Sequence, residues 1–295
     1  MEIKSSFARI GIVVLLLSTA CISQKELTVE EWKQQLVFVT PPLGQDPTSM
    51  IAGISNVGIL PVGAHFEVEA EYSGAVQGVS VDAHMAIGIT VLERQVSRSE
   101  LLTVLGVTID SHYESQNEAV DVTVEGTEWL DGEGVPVRIE EEVTINVGGF
   151  DVPMGFMLNR TGENMCGDRE CWVFMGTQTI NLSGLGESRI LGYLDKESGI
   201  VVRAMTSIGG EEVDTGFMEP PVTVDTFTWE LGSQESVSTD RGRIKCQVIH
   251  LMDNSQKVGT LWVNKDIPIP VQIVRSYMSS YMDLNVTVTL VSYQV

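Results

Sequence analysis

Three segments of the sequence share one pattern: Trp129-Leu-Asp-Gly-Glu-Gly-Val-Pro-Val-Arg-Ile139, Tyr193-Leu-Asp-Lys-Glu-Ser-Gly-Ile-Val-Val-Arg-Ala204 and Trp262-Val-Asn-Lys-Asp-Ile-Pro-Ile-Pro-Val-Gln-Ile273. Each begins with an aromatic residue, continues with Asp or Asn followed by Gly or Pro, and ends in a second apolar run. Asp and Asn bond to their own backbone in turns, and Gly accepts positive φ. Each segment is therefore predicted to be a β-hairpin, and the repeat predicts a fold built from one recurring unit.

The repeated unit extends upstream of the last two hairpins. Asp168-Arg-Glu-Cys-Trp-Val-Phe174 and Arg243-Ile-Lys-Cys-Gln-Val-Ile249 both place a cysteine just before an apolar strand. Few helical intervals separate the predicted strands, which favours an antiparallel meander over alternating strands and helices. We therefore expect a mainly β (α+β) fold with one large curved antiparallel sheet and a few short helices.

Alternation of apolar and polar residues marks two further strands. Phe66, Val68, Ala70 and Tyr72 fall on one face of a predicted half-buried strand. The tail from Leu284 to Tyr293 alternates in the same way and is predicted to be a closing strand.

Two short helices are predicted from capping signals. Thr28 with Glu31 three residues later forms a capping box, and Ser97 with Glu100 repeats that spacing before Gly106 as a stop signal. Met50 to Pro61 is apolar with ambiguous periodicity, so it is predicted as either a helix or a strand.

The N-terminus has the features of a secretory signal peptide. Lys4 and Arg9 precede an apolar stretch of 11 residues, 10–20, which is shorter than the roughly 20 residues of a membrane-spanning helix. The small residues Ser18 and Ala20 predict cleavage just before Cys21. We expect residues 1–20 to be the signal peptide, residues 21–48 to hold the anchor, a short helix and a linker, and residues 49–295 to form a single β-rich domain.

Leu17-Ser-Thr-Ala-Cys21 resembles a lipoprotein signal, in which the cysteine thiol receives a diacylglyceryl chain. It departs from that pattern at Ser18, where the family usually has Leu. The resemblance implies lipidation of Cys21 and a place at the outer face of the cytoplasmic membrane or another envelope surface. Acyl chains contribute about 0.8 kcal/mol per buried methylene, so two or three would hold the protein firmly. The alternative is a freely secreted protein.

Composition supports an exported, folded domain. Removal of Glu2, Lys4 and Arg9 with the signal peptide takes away one net positive charge and changes the net charge from −22 to −23. Such an acidic surface repels phosphate backbones, so no nucleic-acid partner is expected. A hydrophobic content of 43% supplies a sizeable core.

Three cysteines remain after Cys21, and thiols outside the cytoplasm tend to pair. Cys166 and Cys171 enclose a short polar loop and form the favoured disulfide, with Cys246 as an alternative partner for either. Three cysteines without a nearby histidine do not complete a zinc site, so no metal is expected.

The sequence contains none of the common catalytic or cofactor-binding motifs, and its four histidines are scattered. We therefore expect neither an enzyme nor a cofactor. Asn159 and Asn181 match the N-glycosylation pattern, which matters only in an organism with that machinery.

The strand Gly242-Arg-Ile-Lys-Cys-Gln-Val-Ile249, with the hairpin that starts at Trp262, resembles envelope β-proteins related to LolA and LolB. The resemblance covers mainly residues 120–295. It implies an antiparallel sheet curled into a half-barrel, with helices over its concave face and a cavity that can hold acyl chains.

Two functional hypotheses follow. The first is a membrane-anchored lipoprotein that binds or carries an apolar ligand such as a lipid in the half-barrel. The second is a structural or protein-interaction lipoprotein without a small-molecule ligand, whose protein partners the sequence does not identify. A continuous apolar cavity would distinguish the two.

Overall fold

The computed structural model describes residues 27–41, 53–76, 79–97, 100–115, 118–181, 186–197, 201–208, 211–216, 226–239, 242–278 and 282–295. The predicted signal peptide and Cys21 lie outside these residues. Cleavage, lipidation and the division of the chain into three parts therefore stay predictions.

The described residues form one α-helix, one 3₁₀ turn and 17 strands. Helix α1 is Val29–Gln35 and the 3₁₀ turn is Val57–Ile59. The strands are β1 Phe38–Thr40, β2 Gly53–Ser55, β3 His65–Val76, β4 Val79–Ser97, β5 Glu100–Ser115, β6 Glu118–Leu130, β7 Pro136–Val147, β8 Phe150–Cys166, β9 Arg169–Ile180, β10 Glu187–Asp195, β11 Val201–Ile208, β12 Glu211–Asp214, β13 Thr228–Thr239, β14 Gly242–Asp253, β15 Gln256–Asn264, β16 Ile267–Met278 and β17 Met282–Gln294.

Fifteen strands, β3 to β17, form one antiparallel sheet, which confirms the mainly β prediction. Their order is β12-β11-β10-β9-β8-β7-β6-β5-β4-β3-β17-β16-β15-β14-β13. The last strand, β17, lies between β16 and β3 and so joins the two halves of the sheet. The edges are β12 and β13, which are consecutive in the chain but not paired, so the sheet is not closed into a barrel.

The sheet must curl around its own core. Fifteen strands side by side would span about 70 Å if flat, because neighbouring strands lie about 4.8 Å apart. One face nevertheless contributes to a single core from both halves of the sheet, and in the described chain the only helix available to cover it has seven residues. On β3 the predicted face is confirmed, since Phe66, Val68, Ala70 and Tyr72 are all buried in that core. We call the core side the inner face.

The predicted first helix is confirmed. The Thr28 hydroxyl accepts a hydrogen bond from the Glu31 backbone N–H, and the Glu31 carboxylate accepts one from the Thr28 backbone N–H. This capping box begins α1, and Trp32 packs the helix into the core. The apolar stretch of ambiguous periodicity contains both kinds of structure in short pieces, β2 and the 3₁₀ turn.

The second predicted helix, Ser97 to Gly106, is wrong. Ser97 ends β4, and β5 begins at Glu100 and passes through Gly106. Val104 pairs with Glu93 on one side and with Trp129 on the other, and it is buried there. Pairing with two neighbouring strands outweighs a local capping pattern, because strand preference depends on such tertiary contacts.

Each of the three repeated segments is a hairpin, and the same register recurs in all of them. The aromatic residue pairs with a valine upstream and with Arg or Gln downstream. The three sets are Val104–Trp129–Arg138, Val173–Tyr193–Arg203 and Val248–Trp262–Gln272. A register shift follows the aromatic residue in every case.

The register also reveals the upstream strand of the first unit. Cys171 and Cys246 lie two residues before the paired valine, and in β5 the same position is Leu102. The sequence comparison relied on the cysteine and therefore missed this strand, which is the one predicted to be a helix.

The turn chemistry predicted for the hairpins is confirmed at two of them. Asp131 Oδ1 accepts hydrogen bonds from the backbone N–H groups of Glu133 (3.0 Å) and Val135 (2.9 Å). Asn264 Oδ1 accepts one from the backbone N–H of Asp266 at 2.8 Å. These bonds close the turns locally, as short polar side chains do.

Candidate functional site

A row of paired residues crosses the inner face through five neighbouring strands, β16, β17, β3, β4 and β5. Large polar side chains alternate in it with small apolar ones. In register order the row is Arg275, Val286, Tyr72, Ala83 and Tyr113. The small residues separate the large ones, so the polar groups project from an otherwise apolar surface. We call these residues, together with Tyr277, the inner polar row.

Arg275 is the charged member of the inner polar row, and only 5% of its surface is exposed. Its guanidinium carbon lies 4.6 Å from the ring centre of Phe227 and 4.3 Å from that of Tyr277. Its neighbour on β15 is Gly259, which has no side chain to occupy the space beside it. Within the described residues Arg275 has no ion pair, and its Nε–H has no acceptor. Burial lowers the pKa of the guanidinium, and the contact with Tyr277 partly offsets this.

The three tyrosines of the row are neutral hydrogen-bonding groups. Burial, followed by the proximity of Tyr277 and Tyr113, raises the pKa of Tyr72 well above its usual value. Burial raises the pKa of Tyr113 to about 12, opposed by a hydrogen bond with Ser111. Burial also raises the pKa of Tyr277, opposed by its hydrogen bond with Arg275. The Tyr72 hydroxyl is buried and has no hydrogen-bond partner among the described residues.

Two buried glutamates form a second polar group on the inner face, near the turn between β6 and β7. Glu128 is 1% exposed and Glu141 is 6% exposed, and each has one oxygen with no hydrogen-bond partner in the described chain. Burial raises the pKa of Glu141 to about 7. It raises that of Glu128 well above the usual value, with a further contribution from the charge of Glu141. Burial therefore favours the protonated form of both carboxyl groups.

An open cleft of about 260 Å³ lies between α1 and the β15–β16 hairpin. Trp32 and Leu36 line it from the helix side, and Ile267 and Pro268 line it from the hairpin. The backbone N–H of Val37 bonds to the Pro268 carbonyl at 2.7 Å and fixes the two elements together. The cleft is a surface feature and not the continuous inner cavity that would distinguish the two functional hypotheses.

The cysteines lie in two of the repeated units, on the outer face of the sheet. Cys166 and Cys171 share a small buried cluster with Tyr193 and Val202, whereas Cys246 lies in the corresponding cluster of the last unit. All three are thiols in the structure. Burial, followed by the proximity of Cys166 and Asp195, raises the pKa of Cys171 to about 11. The structure thus places Cys166 and Cys171, the favoured pair, close together. Their disulfide stays a prediction.

The remaining candidate residues lie on the surface. Asn159 and Asn181 are exposed, as an acceptor for glycosylation must be. His84 and His112 are paired on neighbouring strands, and the exposed His112 bonds to Asp121 at 2.6 Å. Among the described residues, no three His, Cys, Asp or Glu side chains come together in a way that could hold a metal ion. The described part of the chain also has no helix of the length and apolarity needed to span a membrane.

No ligand-binding residue was predicted from the sequence, so the inner polar row was missed. Its signal is weak but present: Ile273, Arg275 and Tyr277 alternate on one face of β16. An arginine at a position of the alternating pattern where an apolar, core-facing residue is expected could have indicated the inner polar row.

No protein-family model matches the chain, and no curated protein matches it. A Bacteroides fragilis protein described as exported, with a YmcC-like fold, is 9% identical, covers 88% of this chain and 100% of its own, and has a TM-score of 0.25. A β-barrel-like protein of unknown function from Brucella abortus is 9% identical, with coverage of 79% and 97% and a TM-score of 0.27. The Pseudomonas aeruginosa MucA/MucB complex matches at 10% identity, with coverage of 78% and 93% and a TM-score of 0.14. Likeness at this level carries no argument about function.

Proposed function

We propose that this protein is an extracytoplasmic lipoprotein, tethered to a membrane through Cys21, that binds an apolar ligand such as a lipid on the inner face of its curled, LolA-like sheet. The proposal includes no catalytic reaction and no cofactor. The observation that carries it is the open seam of the sheet.

The seam lies between the edge strands β12 and β13. In a closed barrel both edge strands would be paired and the core sealed, whereas among the described strands each edge strand pairs with one neighbour only. Strand β12 has four residues, three of them acidic, and all four are exposed. Charged, short edge strands resist pairing with another chain. Such a seam gives an apolar ligand a route to the inner face without unfolding of the sheet.

The tether fits this arrangement. Leu27, the first described residue, lies six positions after Cys21, and an extended chain of that length spans about 20 Å. Acylation of Cys21 would therefore hold α1, and the hairpin end of the sheet against which it packs, close to the membrane surface. A lipid ligand would have a short path between the bilayer and the protein.

A second candidate is a lipoprotein that recognises a protein partner and binds no small molecule. The packing of the inner face favours it, since apolar side chains from both halves of the sheet form one continuous core. In that case recognition would use the outer surface or the cleft beside α1.

Mass spectrometry of the membrane-purified protein tests both. The intact mass reports the modification of Cys21, and a lipid extract of the same sample reports any ligand that copurifies. Acylated Cys21 with a stoichiometric lipid supports the proposal. Acylation without bound lipid favours the second candidate, a lipoprotein that recognises a protein partner. An unmodified Cys21 overturns the lipoprotein assignment.

A further inference from the structure

Arg275 is a buried cation for which the described residues supply no anion. Removal of a charge from water is costly unless the group is paired and hydrogen-bonded. The rings of Phe227 and Tyr277 stabilise the guanidinium through its faces, at 4.6 and 4.3 Å. Ring contacts leave the edge of the guanidinium available for hydrogen bonds. One such bond is made with Tyr277, and among the described residues the Nε–H has no acceptor. This arginine is thus held in place by stacking while part of its hydrogen-bonding capacity is unused.

Tyr72 provides an independent observation on the same row. Its hydroxyl is buried and has no partner in the part of the chain that the structure describes, although phenol groups in protein interiors usually find one. Only Val286 of β17 separates it from Arg275 across the sheet. Tyr277 links the two, because it is hydrogen-bonded to Arg275 and lies close enough to Tyr72 to affect its pKa.

The buried glutamates do not supply the missing anion. Glu128 lies two residues before the end of β6, at the turn that joins β6 to β7. Arg275 lies three residues before the end of β16. The end of β16 and the end of β6 lie at opposite ends of the sheet, so Arg275 is remote from Glu128. The row therefore presents a guanidinium and phenol hydroxyls, all hydrogen-bond donors, to an apolar interior.

We propose that Arg275, Tyr72 and Tyr277 bind the oxyanion head, a carboxylate or a phosphate, of an amphipathic ligand whose apolar chain lies along the inner face. The proposal rests on the proposed function, since it names the chemical class of ligand that the same inner face takes. Guanidinium groups bind carboxylate and phosphate oxygens through directed, charge-assisted hydrogen bonds. The small neighbours Gly259, Val286 and Ala83 give the chain an apolar surface beside the head.

Calorimetric titration of the delipidated full-length protein with dodecanoate and with dodecanol tests this directly. The two probes share a chain and differ in the head. Hydrogen bonds to a charged group are worth about 1.5–3 kcal/mol, so dodecanoate is expected to bind at least about tenfold more tightly than dodecanol. Arg275→Met should abolish the preference, and Tyr72→Phe should reduce it.

Lys257→Met is the matched control, because Lys257 is an exposed cation at the same end of the sheet. It should leave the preference unchanged. Tyr72→Phe removes a hydroxyl for which the described residues supply no partner, so it tests the site even if Arg275→Met does not fold.

The other outcomes separate this proposal from the one on which it rests. Equal binding of dodecanoate and dodecanol overturns the head-group site and leaves the apolar-ligand function standing. Binding of neither probe contradicts the proposed function itself. If acetate or inorganic phosphate competes as well as dodecanoate, the row is a site for free anions and the amphipathic ligand is excluded.

Discussion

Gly126 of β6 lies directly opposite Glu141 of β7, and the glutamate side chain occupies the space that a side chain on the glycine would need. A Cβ atom at position 126 would lie 2.5 Å from Glu141 Cγ and 2.7 Å from the carbonyl oxygen of Glu140. The absence of a side chain at Gly126 is thus what admits the Glu141 carboxyl group to the interior, next to Glu128.

Gly126→Ala should destabilise the protein by about 1–3 kcal/mol, because it forces an overpacked contact with both a side chain and the backbone. Urea unfolding measures the change. Gly155→Ala is the matched control, since a Cβ atom there meets nothing within 4 Å. Equal effects of the two substitutions would show that the close contact with Glu141 does not matter.

Glu141→Gln should remove part of the pH dependence of stability. The pKa of Glu141 is raised to about 7 in the folded protein, whereas in the unfolded chain it is close to 4.5. The folded state therefore holds the proton more tightly, so this contribution to stability is fully present below about pH 4.5 and is lost as the pH rises through about 7. Gln resembles the protonated acid and does not ionise. The variant should be more stable than the wild type at pH 9, by on the order of 2 kcal/mol.

Thermal unfolding at pH 5 and pH 9 measures this difference. Glu142→Gln, on the exposed face of the same strand, should retain the wild-type profile. If both variants change the profile alike, the effect comes from net charge and not from burial of Glu141.

Peptide mapping of the exported protein without reduction should find Cys166 linked to Cys171 and Cys246 as a free thiol. The first two share one buried cluster, whereas Cys246 is buried in a separate one with Val237 and Val271. Cys246→Ala should leave the link intact. A peptide that joins Cys246 to either of the others would contradict this pairing.

Asp131→Ala should destabilise the protein by about 3 kcal/mol in urea unfolding. The substitution removes two turn hydrogen bonds and a 2.8 Å ion pair with Arg160, a pair that is largely buried. Asp131→Asn keeps the turn bonds and loses the charge, so its cost should be smaller. Asn264→Ala, at the equivalent turn, should cost less, about 1–2 kcal/mol, because its side chain makes neutral hydrogen bonds with the backbone of Asp266 and Lys245. If Asp131→Asn costs as much as Asp131→Ala, the turn bonds contribute nothing.

Local chemistry was enough to predict the turns and many of the strands. Asp131 and Asn264 close their turns with their own side chains, and the alternation in β3 reflects the two faces of one strand. Thr28 and Glu31 cap α1 within four residues of each other. Each of these features depends on neighbours in the sequence, so the sequence predicts it.

The inner polar row could not be predicted in this way. Arg275 and Tyr72 are 203 positions apart in the sequence, and they share a row only because β17 pairs with both β16 and β3. That the Arg275 Nε–H and the Tyr72 hydroxyl find no hydrogen-bond partner among the described residues is likewise a property of the assembled sheet.

The sequence by itself determined a β-rich chain with three similar hairpins, because turn closure and side-chain alternation act over a few residues. Only the tertiary structure decided that Ser97 to Gly106 belongs to strands, that the last strand joins the two halves of the sheet, and which charged groups are buried. Those outcomes depend on register between strands distant in the chain, and register is selected by the packing of the whole inner face.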